Sequence, residues 1–192
     1  MQADWEFEAD SDAPVIDACW AALVDLLGAP DRAMDLKEAR EFPALGAALA
    51  QLNAPASPVW TSKCDYFTKL EPSEFDLDEL DAVDGNAAHG AGCYIDLLQR
   101  AATQWPEPNA AAETCRGLCG LLREVPLRSC RVDLVIRSAV IAPDRMDLGI
   151  TAYLSACGAT PAAATATLAE ALTAFAGAVS SPAPDQPALK LQ

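Results

Sequence analysis

The chain has 192 residues, 52% of them hydrophobic, and its 28 acids against 13 bases give a formal charge of −15. Such a composition supports one buried core of ordinary size and is far from that of a disordered chain. So acidic a surface repels phosphate backbones and anionic lipid, which argues against a nucleic-acid or membrane role.

From the N-terminus, Trp5-Glu6-Phe7-Glu8 alternates apolar and acidic residues, the pattern of a half-buried strand. A helix capped by Ser11 or Asp12 is expected to run to Leu27, because Val15, Ile16, Cys19, Trp20, Leu23, Leu26 and Leu27 recur at spacings of three and four. A second helix is expected from Asp31 toward Leu52, ended or kinked at Pro43. Val59 to Thr68 reads as a strand. Glu71 to Asp84 carries seven acids and no base, the composition of a solvated loop or polar helix face.

Two helices are expected next, one over Ala87–Trp105 carrying Tyr94, Ile95, Leu97 and Leu98, and one from Asn109 to the stop at Pro126. Leu127–Ile141 and Asp147–Cys157 form an expected strand pair joined by the turn Ala142-Pro143-Asp144-Arg145, and a last helix runs from Thr160 to Val179. Leu148 to Ser180 contains a single charge, Glu170, but the break at Gly158–Pro161 divides it into a strand and a helix instead of one membrane span. The order β-α-α-β-α-α-β-β-α implies an α+β fold: an antiparallel sheet of three to five strands with about five helices on one or both faces. One domain is expected over residues 1–180, with a disordered, proline-rich tail over 181–192.

Side chains alternate across a strand, so chemistry is sought on the sheet face that the core does not use. Arg131, Asp133 and Arg137 share one such face, as do Thr151, Tyr153 and Ser155, with Gly149 leaving space beside them. Thr61, Lys63 and Asp65 join them if Val59–Thr68 lies in the same sheet, with Trp60 nearby as an apolar contact. Two arginines there suit a carboxylate or phosphate, which guanidinium forks bind bidentately.

Cys64 follows Lys63, and a nearby cation can activate a thiol. Adjacent strand residues point to opposite faces, however, so an inert half-buried cysteine is the better reading. Cys115 and Cys119 lie four apart on a helix and could share a metal with His89, Cys64 or Cys130. They also match the apolar stripe of that helix, and no metal is assigned. His89 is the sole histidine and the sole side chain that titrates near neutrality unaided. Seven cysteines, odd in number, and an N-terminal segment with neither a basic leader nor a long apolar stretch lead to the expectation of reduced thiols in the cytoplasm.

No nucleotide-binding loop, dinucleotide fingerprint, nucleophile elbow or metalloprotease motif occurs. The expected function is therefore that of an accessory or binding protein acting through the polar sheet face or the acidic segment, without a cofactor. Its partner would be another protein or a small anionic molecule, with a homodimer left open. The alternative is a small enzyme holding an anionic metabolite between Arg131 and Arg137, with Tyr153, His89 or Asp65 transferring protons.

Overall fold

Residues 127–158 carry the plainest strand pattern in the chain, and they form the middle of the sheet. The computed structural model describes residues 1–8, 15–20, 24–71, 74, 76–82, 87–100 and 108–181. In chain order these form β1 (Gln2–Phe7), β2 (Ile16–Asp17), a 3-10 helix (Pro30–Asp35), α1 (Lys37–Glu41), α2 (Pro43–Leu52), β3 (Val59–Leu70) and β4 (His89–Gln99). α3 (Pro108–Arg123), β5 (Cys130–Ala142), β6 (Arg145–Gly158) and α4 (Pro161–Ser180) follow.

The sheet has six strands in the order β1-β5-β6-β4-β3, with β2 also paired to β5. β3, β4, β6 and β5 run antiparallel to their neighbours, whereas β1 and β2 lie parallel to β5. The sheet is thus mixed and larger than the antiparallel sheet of three to five strands expected from the sequence. Local patterning marks a strand but carries no sign of its direction, and β1 pairs with β5 across more than a hundred residues of chain.

One core holds the fold together. Leu45, Leu49 and Leu52 of α2, Cys115, Cys119 and Leu122 of α3, and Leu168, Leu172 and Phe175 of α4 pack with Val132, Leu134 and Ile136 of β5 and with Ile150, Ala152 and Leu154 of β6. Ala91, Cys93, Ile95 and Leu97 of β4 complete that layer. The three long helices therefore cover the same face of the sheet. Thr160 caps α4 by accepting from the Ala163 amide. α4 is long and apolar enough by length and composition to cross a membrane. Its stripe of Ala164, Leu168, Leu172, Phe175 and Val179 is nevertheless buried in the core.

Two expected helices are not formed. Residues 15–20 run extended: the Val15 and Ala18 amides donate to Ser138 and Val140 carbonyls at 3.1 and 2.9 Å. Residues 24–27 are not helical either, and residues 11–14 and 21–23 of that expected helix lie outside those described. The three-and-four spacing is present, but the backbone finds its partners along β5 instead. The helix expected over 87–105 is the strand β4, with 101–105 outside the described residues. β4 is largely buried on both faces, so Leu98 follows Leu97 and the neighbouring small residues are apolar on both sides, which masks the alternation over Cys93–Leu97. The helix expected over 31–52 is divided into the 3-10 helix, α1 and α2, with Pro43 opening α2 rather than kinking a longer helix. The expected proline-rich tail falls on 182–192, outside the described residues, with Ser181 just after α4.

The extended 15–20 segment is a strap over one end of the second sheet face. Ile16 and Ala18 pack there with Leu98, Ala139, Trp60 and Ile141 in a small satellite core. Gly149, read from the sequence as leaving space, lies directly beneath Ile16. A Cβ at this position would stand 2.6 Å from Ile16 Cδ1 and 3.1 Å from the Leu97 carbonyl oxygen. Gly149→Ala is expected to lower unfolding free energy by about 1–3 kcal/mol in urea titrations, the usual cost of overpacking. Ile16→Val, which removes the colliding methyl, should recover part of that loss; no recovery in the double variant would remove the close packing as its cause.

Candidate functional site

With the helices on one face, the other face presents four rows of side chains that cross the strands. The first runs Asp4, Asp133, Tyr153, Tyr94, Asp65 across β1, β5, β6, β4 and β3. Beside it on one side lie Arg131, Ser155, Gly92 and Phe67. On the other lie Glu6, Val135, Thr151 and Asp96, and then Arg137, Gly149, Leu98 and Trp60 under the strap.

Three rings form a ladder on this face. Phe67 and Tyr94 stack with centroids 6.2 Å apart, and Tyr94 meets Tyr153 at 6.0 Å with a tilt of 46°. Phe67 and Tyr153 are 40% and 38% exposed, so the ladder is open to solvent at both ends. The Arg137 guanidinium lies 5.5 Å over the Tyr153 ring and also donates to its hydroxyl at 2.8 Å. Beside the ladder is a groove of about 490 Å³, lined by Asp4, Trp5, Glu6, Glu79, Arg131, Asp133, Val135, Arg137 and Tyr153 among others.

Both arginines are engaged within the chain. Arg131 Nε donates to both Asp133 oxygens, at 2.7 and 2.8 Å, and its Nη1 lies 3.2 Å from Glu79. Arg137 pairs with Glu8 as well as with Tyr153. Glu79 arrives from the acidic segment, where Asp76 Oδ1 accepts from the Asp78 and Glu79 amides and fixes a turn. Leu80 is buried beside it, and Asp81 accepts two bonds of 3.0 Å from Arg128. Acids gathered in one stretch of sequence thus meet arginines gathered in another.

Burial shifts two carboxyls of the face upward. Burial raises the Asp133 pKa, and Glu79 and Asp4 raise it further against the lowering by Arg131. Asp96, only 5% exposed, accepts from Thr151 Oγ1 at 2.7 Å. Its pKa is raised by burial, which outweighs the Thr151 bond and the fields of Lys63 and Arg137. Burial also raises the Tyr94 phenol, followed by Asp96 and Asp65.

Several residues expected together are apart. A register shift between Thr61 and Cys64 sets three residues of β3 against two of β4 and reverses the alternation there. Thr61 consequently faces α2, where its hydroxyl and amide bond Asn53 at 2.8 and 3.1 Å. Lys63 and Asp65 stay on the open face, with the Lys63 ammonium 5.6 Å from the Trp20 ring of the strap. Trp60 is partly buried in the satellite core and donates to the Gln99 carbonyl at 3.2 Å. His89 opens β4 opposite Gly158, five residues and roughly 17 Å along the strand from Tyr94, with the opposite parity. It does not join the site.

The cysteines are no better placed for chemistry. Cys64 packs against the main core, and its pKa is pushed up to about 12 by burial, then by Glu38, Asp65 and Asp96, the reverse of activation. Cys115 and Cys119 are buried with pKa values of about 12 and about 11, again chiefly through burial. Among the described residues no three of His, Cys, Asp and Glu come together in a way that could hold a metal ion.

Tyr94, Asp96 and Glu79 were missed by sequence reasoning. The first two had a signal, since Cys93-Tyr94-Ile95-Asp96-Leu97 alternates core and polar residues at period two. Glu79 had none beyond its sign. No protein-family model, curated protein or solved structure matches this chain.

Two outcomes are expected. A carboxyl with a raised folded pKa holds its proton better when folded, so its contribution favours folding most at low pH and shrinks as pH rises through the folded value. Asp96→Asn keeps an oxygen acceptor for Thr151 and carries no charge. Its Tm relative to the parent should therefore climb from about pH 4 to about pH 7, reaching a gain of roughly 2–4 °C if about 1 kcal/mol is recovered. A difference constant over that range would show that Asp96 is not perturbed. In titrations of the native protein with a thiol reagent, exposed Cys19 should react first and half-buried Cys64 slowly, while the five buried thiols wait for denaturant. Rapid modification of Cys115 or Cys119 would contradict this order.

Proposed function

We propose that this chain is a binding protein that works through the open face of its sheet, without covalent chemistry. The observation that carries this reading is one-sided cover among the described residues: α2, α3 and α4 share one face, while on the other Phe67 and Tyr153 are exposed on either side of a half-buried Tyr94. Cross-strand ring pairs stabilise the sheet itself by a few tenths to about 1 kcal/mol each, and where they stay exposed they also supply large contact areas with few rotatable bonds to fix. The flanking carboxylates and guanidiniums then give a polar rim with defined charge. A reducing, cytoplasmic setting fits the seven free thiols.

The second reading, a small enzyme acting on an anionic metabolite, draws on Asp96, because buried carboxyls with displaced pKa values gather at catalytic sites. Against it, an anion would have to displace a carboxylate from each arginine, Glu79 or Asp133 from Arg131 and Glu8 from Arg137. His89 and the raised thiols offer no partner for Asp96.

Random displayed peptides selected on the immobilised protein provide the test. They are expected to lose at least about tenfold in affinity for a folded Phe67→Ala, Tyr153→Ala variant, since aromatic truncations dominate such interfaces. Selected peptides indifferent to this pair would sink the open face as the binding surface. Citrate or inorganic phosphate binding that disappears in both Arg131→Ala and Arg137→Ala would transfer the function to anion binding.

A further inference from the structure

Resting on the open face as the binding surface, we infer that its ligand is an extended, basic segment of a partner protein, laid across the strands over the aromatic ladder. Charge is the first support. The groove carries Asp4, Glu6, Glu79 and Asp133 against Arg131 and Arg137, and both arginines are already paired within the chain. Asp65, at the far end of the same row, and Glu6 have no cationic partner among the described residues. The pKa of Asp133 stays raised even with a guanidinium on both its oxygens, partly because Glu79 and Asp4 stand near it. A ligand cation relieves that surplus, and the net charge of −15 steers it in from a distance.

The rings supply the second support. On this face the chain already stacks its own cations on aromatics, Arg137 on Tyr153 at 5.5 Å and Lys63 on Trp20 at 5.6 Å. Phe67 and Tyr94 have no such cation among the described residues, although a carboxylate lies beside both: Asp65 is two residues from Phe67 and is the cross-strand partner of Tyr94. A ring face beside a carboxylate is the chemistry that holds a lysine or arginine side chain.

Spacing selects an extended polypeptide over a compact cation. Ring centroids repeat at 6.2 and 6.0 Å along the ladder. Alternate side chains of an extended segment repeat at roughly 6.6–6.8 Å on one side, so every second residue of such a segment meets a ring. A second copy of this chain is disfavoured as the occupant, because it would bring the same acidic face and the same charge of −15.

The test uses the full chain and labelled octapeptides read by fluorescence anisotropy: alternating lysine and threonine, a lysine block of equal charge, and alternating glutamate and threonine, with spermine as competitor. The alternating basic peptide is expected to bind best. It should lose about 5- to 30-fold in the Phe67→Ala, Tyr153→Ala variant and weaken with salt. Amide shift mapping on the unmutated protein should place it over β3, β4 and β6, a readout independent of how the variants fold. Equal affinity for the block peptide or spermine, indifferent to the rings, would overturn the inference by reducing it to diffuse charge. Ring-dependent binding of the acidic peptide alone would overturn the basic ligand and leave the open face standing as a binding surface. Shifts confined to the helical side would remove both. Sedimentation showing a dimer that the ring variant abolishes would overturn the basic segment in favour of a second copy.

Discussion

Burial of one face of the β5–β6 hairpin under α3 and α4 is the constraint on which the other features depend. Val132, Leu134 and Ile136 alternate with Arg131, Asp133 and Arg137, so committing the apolar set to the helices commits the charged set to the opposite face. A slip of one residue would bury three charges. The same register aligns Tyr153 with Asp133 and with Tyr94, and so sets the ladder in place. Helix packing on one side thus positions the β5 and β6 side chains of the candidate site on the other.

The charge pattern of the face is a second consequence. Each arginine lies where a carboxylate from elsewhere in the chain can reach it, Glu79 from the acidic segment and Glu8 from the end of β1. These pairs are half-exposed and contribute little stability individually. They engage both guanidiniums of the face, so that in the proposed binding role aromatic surface, carboxylates and Lys63 are what a partner would meet. The strap of residues 15–20 closes one end of the face by seating Ile16 on Gly149, so the ladder opens toward the uncovered end.

β4 shows how local and tertiary information diverge. Its residues satisfy a helical spacing at Tyr94, Ile95, Leu97 and Leu98, and they also satisfy alternation through Cys93, Ile95 and Leu97. Length and the two glycines, Gly90 and Gly92, favour a strand, since glycine is a poor helix former. Burial on both faces hides the period, because Leu98 is covered by the strap while Ile95 and Leu97 are covered by helices. Reading β4 as a helix removes Tyr94 and Asp96 from view, and with them the centre of the site. The bulge after Thr61 has the converse effect, since a strict period of two assigns Thr61 to the face that it leaves for Asn53.

By itself the sequence determined the α+β class, the β5–β6 hairpin, the helices that follow it and precede it, and the common face of Arg131, Asp133, Arg137 and Tyr153. All of these rest on contacts between residues near in sequence, for which period and turn chemistry suffice. Only the tertiary structure decided that β1 joins in parallel and that 15–20 is a strap. It also decided that β4 is a strand and that Glu8 and Glu79 occupy the arginines. Each of these is a choice between partners distant in the chain, set by which surfaces are left to bury and which backbone groups are left to pair. Period alone carries no record of that choice.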